Sequence, residues 1–100
     1  MMKDHYISKV LSKLFREEKL MNKRYEIMCI PMIDNTFTVY CMGFINGGVK
    51  RPVFGKKRLQ WLTSLLNDKL KISYDKKMIC LTAEQANNLY TLLKLKGVDE

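Results

Sequence analysis

The stretch from Phe37 to Ile45 limits the possible folds of this chain more than any other. Its side chains form two alternating sets: Phe37, Val39, Cys41 and Ile45 in one, and Thr38, Tyr40, Met42 and Phe44 in the other. This period of two, with many β-branched and aromatic residues, predicts a strand. Because both sets are largely apolar, we expect a central strand that is covered on at least part of both faces. If helices cover only one face, Tyr40, Met42 and Phe44 become exposed and form a candidate protein interface.

The residues before this strand predict a helix and a hairpin. Residues 3–20 carry an apolar stripe at helical spacing, and we expect this helix to end near Asn22. Residues 25–30 read as a second strand, which the turn at 31–35 joins to the central strand as a β-hairpin. Asn46, Gly47 and Gly48 are expected to end the central strand, with irregular backbone as far as Lys56.

The second half of the chain predicts two more helices around a third strand. Leucines at helical spacing favour a helix from Lys56 to about Lys69. Residues 72–81 predict a strand, or alternatively two short strands around Asp75 and Lys76. Thr82 and Gln85 have the spacing of a capping box, which starts a last helix that should stop at Gly97.

The resulting order, α-β-β-α-β-α, predicts the α+β fold class. We expect residues 1–100 to form a single compact domain, in which a small antiparallel three-stranded sheet packs against helices. A core of this size gives modest stability, which makes a homodimer or a bound partner compatible with the sequence.

Composition narrows the cellular setting. No apolar run approaches the ~20 residues that a membrane span needs, and the first residues lack the apolar segment of a secretory signal. The three cysteines are odd in number and contain no C-x-x-C pair, so we interpret Cys29, Cys41 and Cys80 as buried, reduced thiols. We therefore expect a cytoplasmic protein without a membrane partner.

Charge is concentrated in one region of the sequence. Residues 50–77 contain nine basic and two acidic side chains, a net charge of +7, whereas the remaining seventy-two residues sum to +1. Like charges repel, so this clustering indicates an anionic partner and not a contribution to stability. The candidate nucleic-acid-binding residues are Lys50, Arg51, Lys56, Lys57, Arg58, Lys69, Lys71, Lys76 and Lys77.

Within this region, loop 47–58 has the composition of an anion-binding loop. Three cations, Lys56, Lys57 and Arg58, occupy the first turn of the predicted helix, where the helix dipole favours anions, so an external anion would complete the site. The pattern is not a Walker motif, since Lys57 replaces the required Ser or Thr. If exposed, Phe54 and Trp61 are candidates for stacking on bases, although the leucine-rich helix also suits Trp61 to the core.

The sequence offers no arrangement of residues for catalysis, a cofactor or a metal. His5 is the sole histidine, and the cysteines lie in separate strand-like segments, far from the three or four converging ligands that a metal needs. No Ser, Cys or Thr has a recognisable base beside it. We predict a protein that is not an enzyme.

Two functional hypotheses remain. The first is a nucleic-acid-binding module that contacts the phosphate backbone of DNA or RNA, without sequence specificity, through loop 47–58 and the start of the following helix. The second is an accessory subunit or inhibitor of a larger nucleic-acid-processing enzyme, such as a polymerase, helicase or nuclease, as in phage or mobile-element proteins. Seven methionines and the apolar strand suit the second hypothesis. A solvated surface without a partner is the alternative to both.

Overall fold

Three helices and a five-stranded antiparallel sheet make up the fold. The computed structural model describes residues 2–96. The elements in chain order are α1 (Met2–Glu17), β1 (Tyr25–Pro31), β2 (Phe37–Ile45), β3 (Gly48–Lys50), α2 (Lys56–Leu66), β4 (Lys71–Ile72), β5 (Met78–Leu81) and α3 (Ala83–Leu95). The predicted α+β class and the antiparallel sheet against helices are confirmed, and the sheet gains two short strands.

Strand β2 is the centre of the sheet, as predicted. β1 pairs along one edge of β2, with Tyr25 opposite Gly43 and Pro31 opposite Phe37. On the other edge, β5 pairs with the first half of β2 and β3 with its last three residues. β4 lies outside β5, which gives the order β1-β2-β5-β4.

The helices cover one face of the sheet. Odd-numbered β2 residues from Phe37 to Gly43 are buried, whereas the even-numbered residues between them are half-buried and Phe44 is exposed. The buried side chains of α1, α2 and α3 form one core with the odd-numbered residues of β1, β2 and β5. Within residues 2–96 no helix packs on the second face, so the expectation of cover on both faces is wrong.

A second hairpin replaces the irregular segment that the sequence suggested after β2. Ile45 pairs with Gly48, so only Asn46 and Gly47 form the loop, and both have positive φ angles of 53° and 77°. These are the angles of a type I′ turn, whose twist matches that of the strands and which favours Asn-Gly. The predicted end of the central strand is confirmed, because β2 stops at Ile45, but the irregular backbone expected as far as Lys56 is wrong for Gly48–Lys50, which form β3.

Left-handed residues end the first two helices earlier than predicted. Lys19 has φ 58°, and the N–H of Leu20 donates to the Phe15 carbonyl at 2.7 Å, which closes α1 with a Schellman motif well before Asn22. Asn67, with φ 50°, ends α2 after Leu66 in place of Lys69.

Two predictions for the last third of the chain are confirmed. Residues 72–81 form the alternative of two short strands, joined by a turn in which Lys76 has φ 60°. The capping box is present, since Thr82 Oγ1 accepts from the Gln85 N–H at 3.1 Å and Gln85 Oε1 accepts from the Thr82 N–H at 3.0 Å. The expected stop at Gly97 lies outside the described residues.

Side chains of α1 bind the outer edge of β1. Ser8, Ser12 and Arg16 recur every four residues and so lie on one face of the helix. Ser8 Oγ accepts from the Cys29 N–H at 2.8 Å, and Ser12 Oγ accepts from the Ile27 N–H at 2.9 Å. Arg16 Nη2 donates to the Tyr25 carbonyl at 2.7 Å. The edge strand therefore has hydrogen-bond partners on both sides.

Replacing the buried hydroxyl of Ser12 at this edge tests how much it contributes to stability. Ser12 is 5% exposed, so Ser12→Ala leaves the Ile27 N–H buried without its acceptor. We expect the free energy of unfolding to fall by about 1–3 kcal/mol, measured by urea denaturation. Ser64→Ala, on the exposed surface of α2, is the matched control and should change stability by less than about 0.5 kcal/mol. Equal effects of the two variants would contradict the structural role of Ser12.

Candidate nucleic-acid interface

Two cationic segments that are distant in sequence lie side by side. The N–H of Phe54 donates to the carbonyl of Lys76 at 2.8 Å, which joins the loop after β3 to the turn between β4 and β5. This contact places the two cation-bearing segments next to each other. The exposed cations are Lys50, Arg51, Lys56, Lys57, Lys76 and Lys77. We call these six residues the basic surface.

Asp75, which directly precedes Lys76, shapes the turn between β4 and β5. Asp75 Oδ1 accepts from Ser73 Oγ at 2.6 Å and from the Lys77 N–H at 3.1 Å. The Ser73 hydrogen bond, followed by the Lys77 N–H and the Lys77 charge, lowers the pKa of Asp75. Within residues 2–96, Lys50, Lys56 and Lys57 form no ion pair.

Arg58 does not belong to the basic surface, which corrects the prediction from sequence. Its guanidinium is partly buried and donates to the backbone carbonyls of Phe54 and Val53, the latter at 3.2 Å, and to that of Leu20 at 2.5 Å. A Cβ at Gly55 would lie 2.9 Å from Arg58 Nη2, so the glycine leaves room for the guanidinium as well as adopting φ 94°. Arg58 is therefore a structural residue that fastens the loop to the end of α1.

The two aromatic residues proposed for base stacking pack into the core. Phe54 is fully buried, so it does not meet the condition of exposure. Trp61 is partly buried, and its ring makes an edge-to-face contact with Phe15 at a centroid distance of 5.4 Å. Phe54 therefore has no exposed ring for stacking, and Trp61 packs part of its surface against the core.

The remaining predicted cations lie beside the edge strand β4. Lys69 and Lys71 are both exposed, and the Lys69 carbonyl accepts from Gln85 Nε2 at 3.2 Å. Lys71 pairs across the strands with Cys80, which in turn pairs with Thr38. This register places Lys71 on the face of the sheet that no described helix covers.

Tyr40, Met42 and Phe44 lie on the uncovered face, as expected for a sheet with helices on one side only. Phe44 is 64% exposed, and the guanidinium of Arg51 lies over the Tyr40 ring at 4.6 Å from its centroid. The register adds residues that sequence reasoning missed: Met28 and Met78 opposite Tyr40, and Val49 opposite Phe44. The Asn46-Gly47 pair is a sequence signal for a two-residue hairpin turn, and such a turn places Val49 opposite Phe44.

Thiol and metal chemistry find little support in the described part of the chain. Burial, with a smaller contribution from the Asp4 carboxylate, raises the pKa of Cys29 to about 12, and burial also raises that of Cys41. Such thiols stay protonated and unreactive at neutral pH. Among residues 2–96, no group of three His, Cys, Asp or Glu side chains is arranged to hold a metal.

The fold and the site define a small α+β domain with a basic surface next to an uncovered apolar sheet face. The chain matches no protein-family model, and comparison with curated proteins and with solved structures finds no match either. None of the described helices has the length and apolar character needed to cross a membrane.

The different roles of neighbouring cations can be separated by substitution. Arg58→Ala removes hydrogen bonds to three carbonyls and should lower the free energy of unfolding by about 1–3 kcal/mol. Lys56→Glu with Lys57→Glu should leave the melting temperature unchanged or higher, because acids suit the first turn of a helix. Thermal unfolding of both variants checks this difference. A destabilised double-glutamate variant would show that the two lysines are structural.

The buried thiol makes stability depend on alkaline pH. The pKa of Cys29 is about 12 in the folded protein and 9.0 when unperturbed, so above pH 9 the unfolded chain loses the proton first and stability falls as pH rises. Between pH 8 and pH 10.5, the wild type should lose about 2 kcal/mol more than Cys29→Ala, which lacks this thiol. Urea denaturation at the two pH values measures the difference. If both proteins lost the same free energy of unfolding between the two pH values, burial of the Cys29 thiol would not be the cause of the pH dependence.

Proposed function

We propose that this protein is a non-enzymatic nucleic-acid-binding module that contacts the phosphate backbone. The contact region comprises the loop from Gly47 to Lys57, the start of α2 and the turn between β4 and β5. The observation that carries the proposal is the hydrogen bond between Phe54 and Lys76, which brings two cation-bearing segments together. Eight of the nine predicted cations are exposed there or near β4, and only Arg58 points inward.

The start of α2 supports an anionic ligand on this surface. Its first turn contains no acidic residue, and Gly55 at the N-cap makes no side-chain hydrogen bond to the free N–H groups. A helix start of this kind has a partial positive charge, which Lys56 and Lys57 increase. The unfavourable electrostatics of this arrangement are relieved when a phosphate lies close by.

In the proposed mode of recognition, the protein contacts the phosphate backbone and not the hydrogen-bonding edges of the bases. Lysines on mobile side chains neutralise phosphates without selecting a sequence. The proposal places the protein in the cytoplasm, where nucleic acid is present and where reduced thiols such as Cys29 and Cys41 persist.

Salt-dependent binding tests this function. If about five phosphates are neutralised, the slope of log affinity against log salt concentration should be on the order of −3.5 to −4.5. Fluorescence anisotropy with labelled DNA and RNA measures it, and Lys56→Glu with Lys57→Glu should greatly weaken binding.

The matched control changes the same net charge elsewhere. Lys9→Glu with Lys13→Glu alters two exposed lysines of α1, outside the basic surface, and should have a much smaller effect on affinity. Equal losses in the two variants would indicate attraction by net charge alone. Failure of the wild type to bind DNA or RNA at low salt would overturn the proposed function.

A further inference from the structure

The sheet has an uncovered face that is largely apolar and continuous across its strands. Strand register groups its side chains in rows: Met28, Tyr40 and Met78 form one row, Glu26 with Met42 forms the next, and Phe44 with Val49 forms a third. Phe44 is 64% exposed and Val49 59% exposed. We call this surface the open face; its apolar residues are Met28, Ile30, Tyr40, Met42, Phe44, Val49 and Met78.

Positive charge surrounds the open face. The guanidinium of Arg51 lies over the ring of Tyr40, and Lys71 extends from the same face beside Cys80. Lys77 is exposed and directly precedes Met78. At the other end, Lys23 and Arg24 line a groove with Met42 and Phe44, in which Glu26 is the one acid. An occupant that complements this surface has flat apolar parts and distributed negative charge.

We propose that single-stranded nucleic acid binds the open face, with bases stacked on Phe44 and on the pair that Arg51 forms with Tyr40, and with phosphates held by the surrounding cations. This inference rests on the proposed function and adds the preferred form of the ligand. Single strands expose the faces of their bases, whereas a duplex hides them within its stack. The two aromatic residues lie four positions apart on β2, which is about 13 Å at 3.3 Å per residue. They therefore provide two separate stacking positions for one nucleic-acid strand.

Arg51 connects the open face with the basic surface. Its guanidinium contacts Tyr40, and the residues that follow it lead through Phe54 to Lys56 and Lys57. Because a guanidinium plane stacks on bases as an aromatic ring does, Arg51 extends the stacking surface of Tyr40 and adds a cation for the backbone. The Arg51 side of the open face thus leads directly to the basic surface, while Glu26 lies farther along the face, opposite Met42.

Substitutions that remove aromatic rings but keep apolar side chains test this inference. Labelled 15-nucleotide oligo-dT and a 15-base-pair hairpin duplex serve as probes in fluorescence anisotropy. Tyr40→Leu and Phe44→Leu should each weaken oligo-dT binding at least about 5-fold, while duplex affinity changes less than about 2-fold. Tyr40→Phe keeps the ring and should bind as the wild type does. Lys56→Glu with Lys57→Glu should weaken binding of both probes.

Further measurements separate the possible outcomes. Leu95→Ala changes an exposed apolar residue of α3 and should leave both affinities unchanged, and thermal unfolding establishes that each variant is folded. Equal affinity for the two probes, or no effect of the leucine variants, would overturn the stacking role and leave the phosphate contacts standing. No binding of either probe would overturn the proposed function itself. If light scattering shows that the wild type is a dimer and that Phe44→Asp is a monomer, the open face is the contact with a second copy. If a protein partner binds tightly and oligo-dT does not, the open face has an accessory role.

Discussion

Hydrogen bonds between α1 and the edge of β1 determine how the layers of this protein are arranged. Ser8, Ser12 and Arg16 supply partners to backbone groups of Cys29, Ile27 and Tyr25 that point away from the sheet. These bonds fix α1 along β1, and its neighbouring apolar stripe then faces the odd-numbered strand residues. Without these hydrogen bonds, an amphipathic helix could take more positions on the sheet, because hydrophobic contacts are not directional.

This fixed position explains why the sheet has two unlike faces. Once α1 occupies one side, α3 and α2 pack beside it and complete a single core that includes Phe54 and Leu62. The second face retains apolar side chains but receives no described helix. A small domain that exposes contiguous apolar surface lowers its own solubility, so such a face indicates an interaction site more often than a structural requirement. The cations around it also limit self-association through charge repulsion.

The parts of the fold that depend on local pattern were predictable from sequence. The helical stripe of α1, the central position of β2 and the capping box at Thr82 each follow from residue spacing alone. Helix ends were less predictable, because Lys19 adopts the left-handed conformation that the sequence assigned to Asn22. The Asn46-Gly47 turn, in contrast, was a recognisable hairpin signal.

The composition of the site was predictable, but the directions of its side chains were not. Charge counting identified the basic segment, and eight of its nine cations are exposed. The inward direction of Arg58 depends on the Leu20 carbonyl, which is 38 residues away in sequence, and no local pattern shows such a contact. The burial of Phe54 likewise depends on its contact with Phe15, at a centroid distance of 6.3 Å. Tertiary packing therefore decides which residues of the basic segment remain on the surface.

The bond between Arg58 and Leu20 has a thermodynamic consequence for the whole domain. It links the loop that carries the cations to the terminus of α1, so the conformations of these two segments are energetically coupled. Coupling of this kind is reciprocal: a ligand that orders the loop also protects the end of α1 from local unfolding. Occupancy of the surface would thus appear as slower amide exchange at the C-terminal end of α1, without any large movement of the backbone.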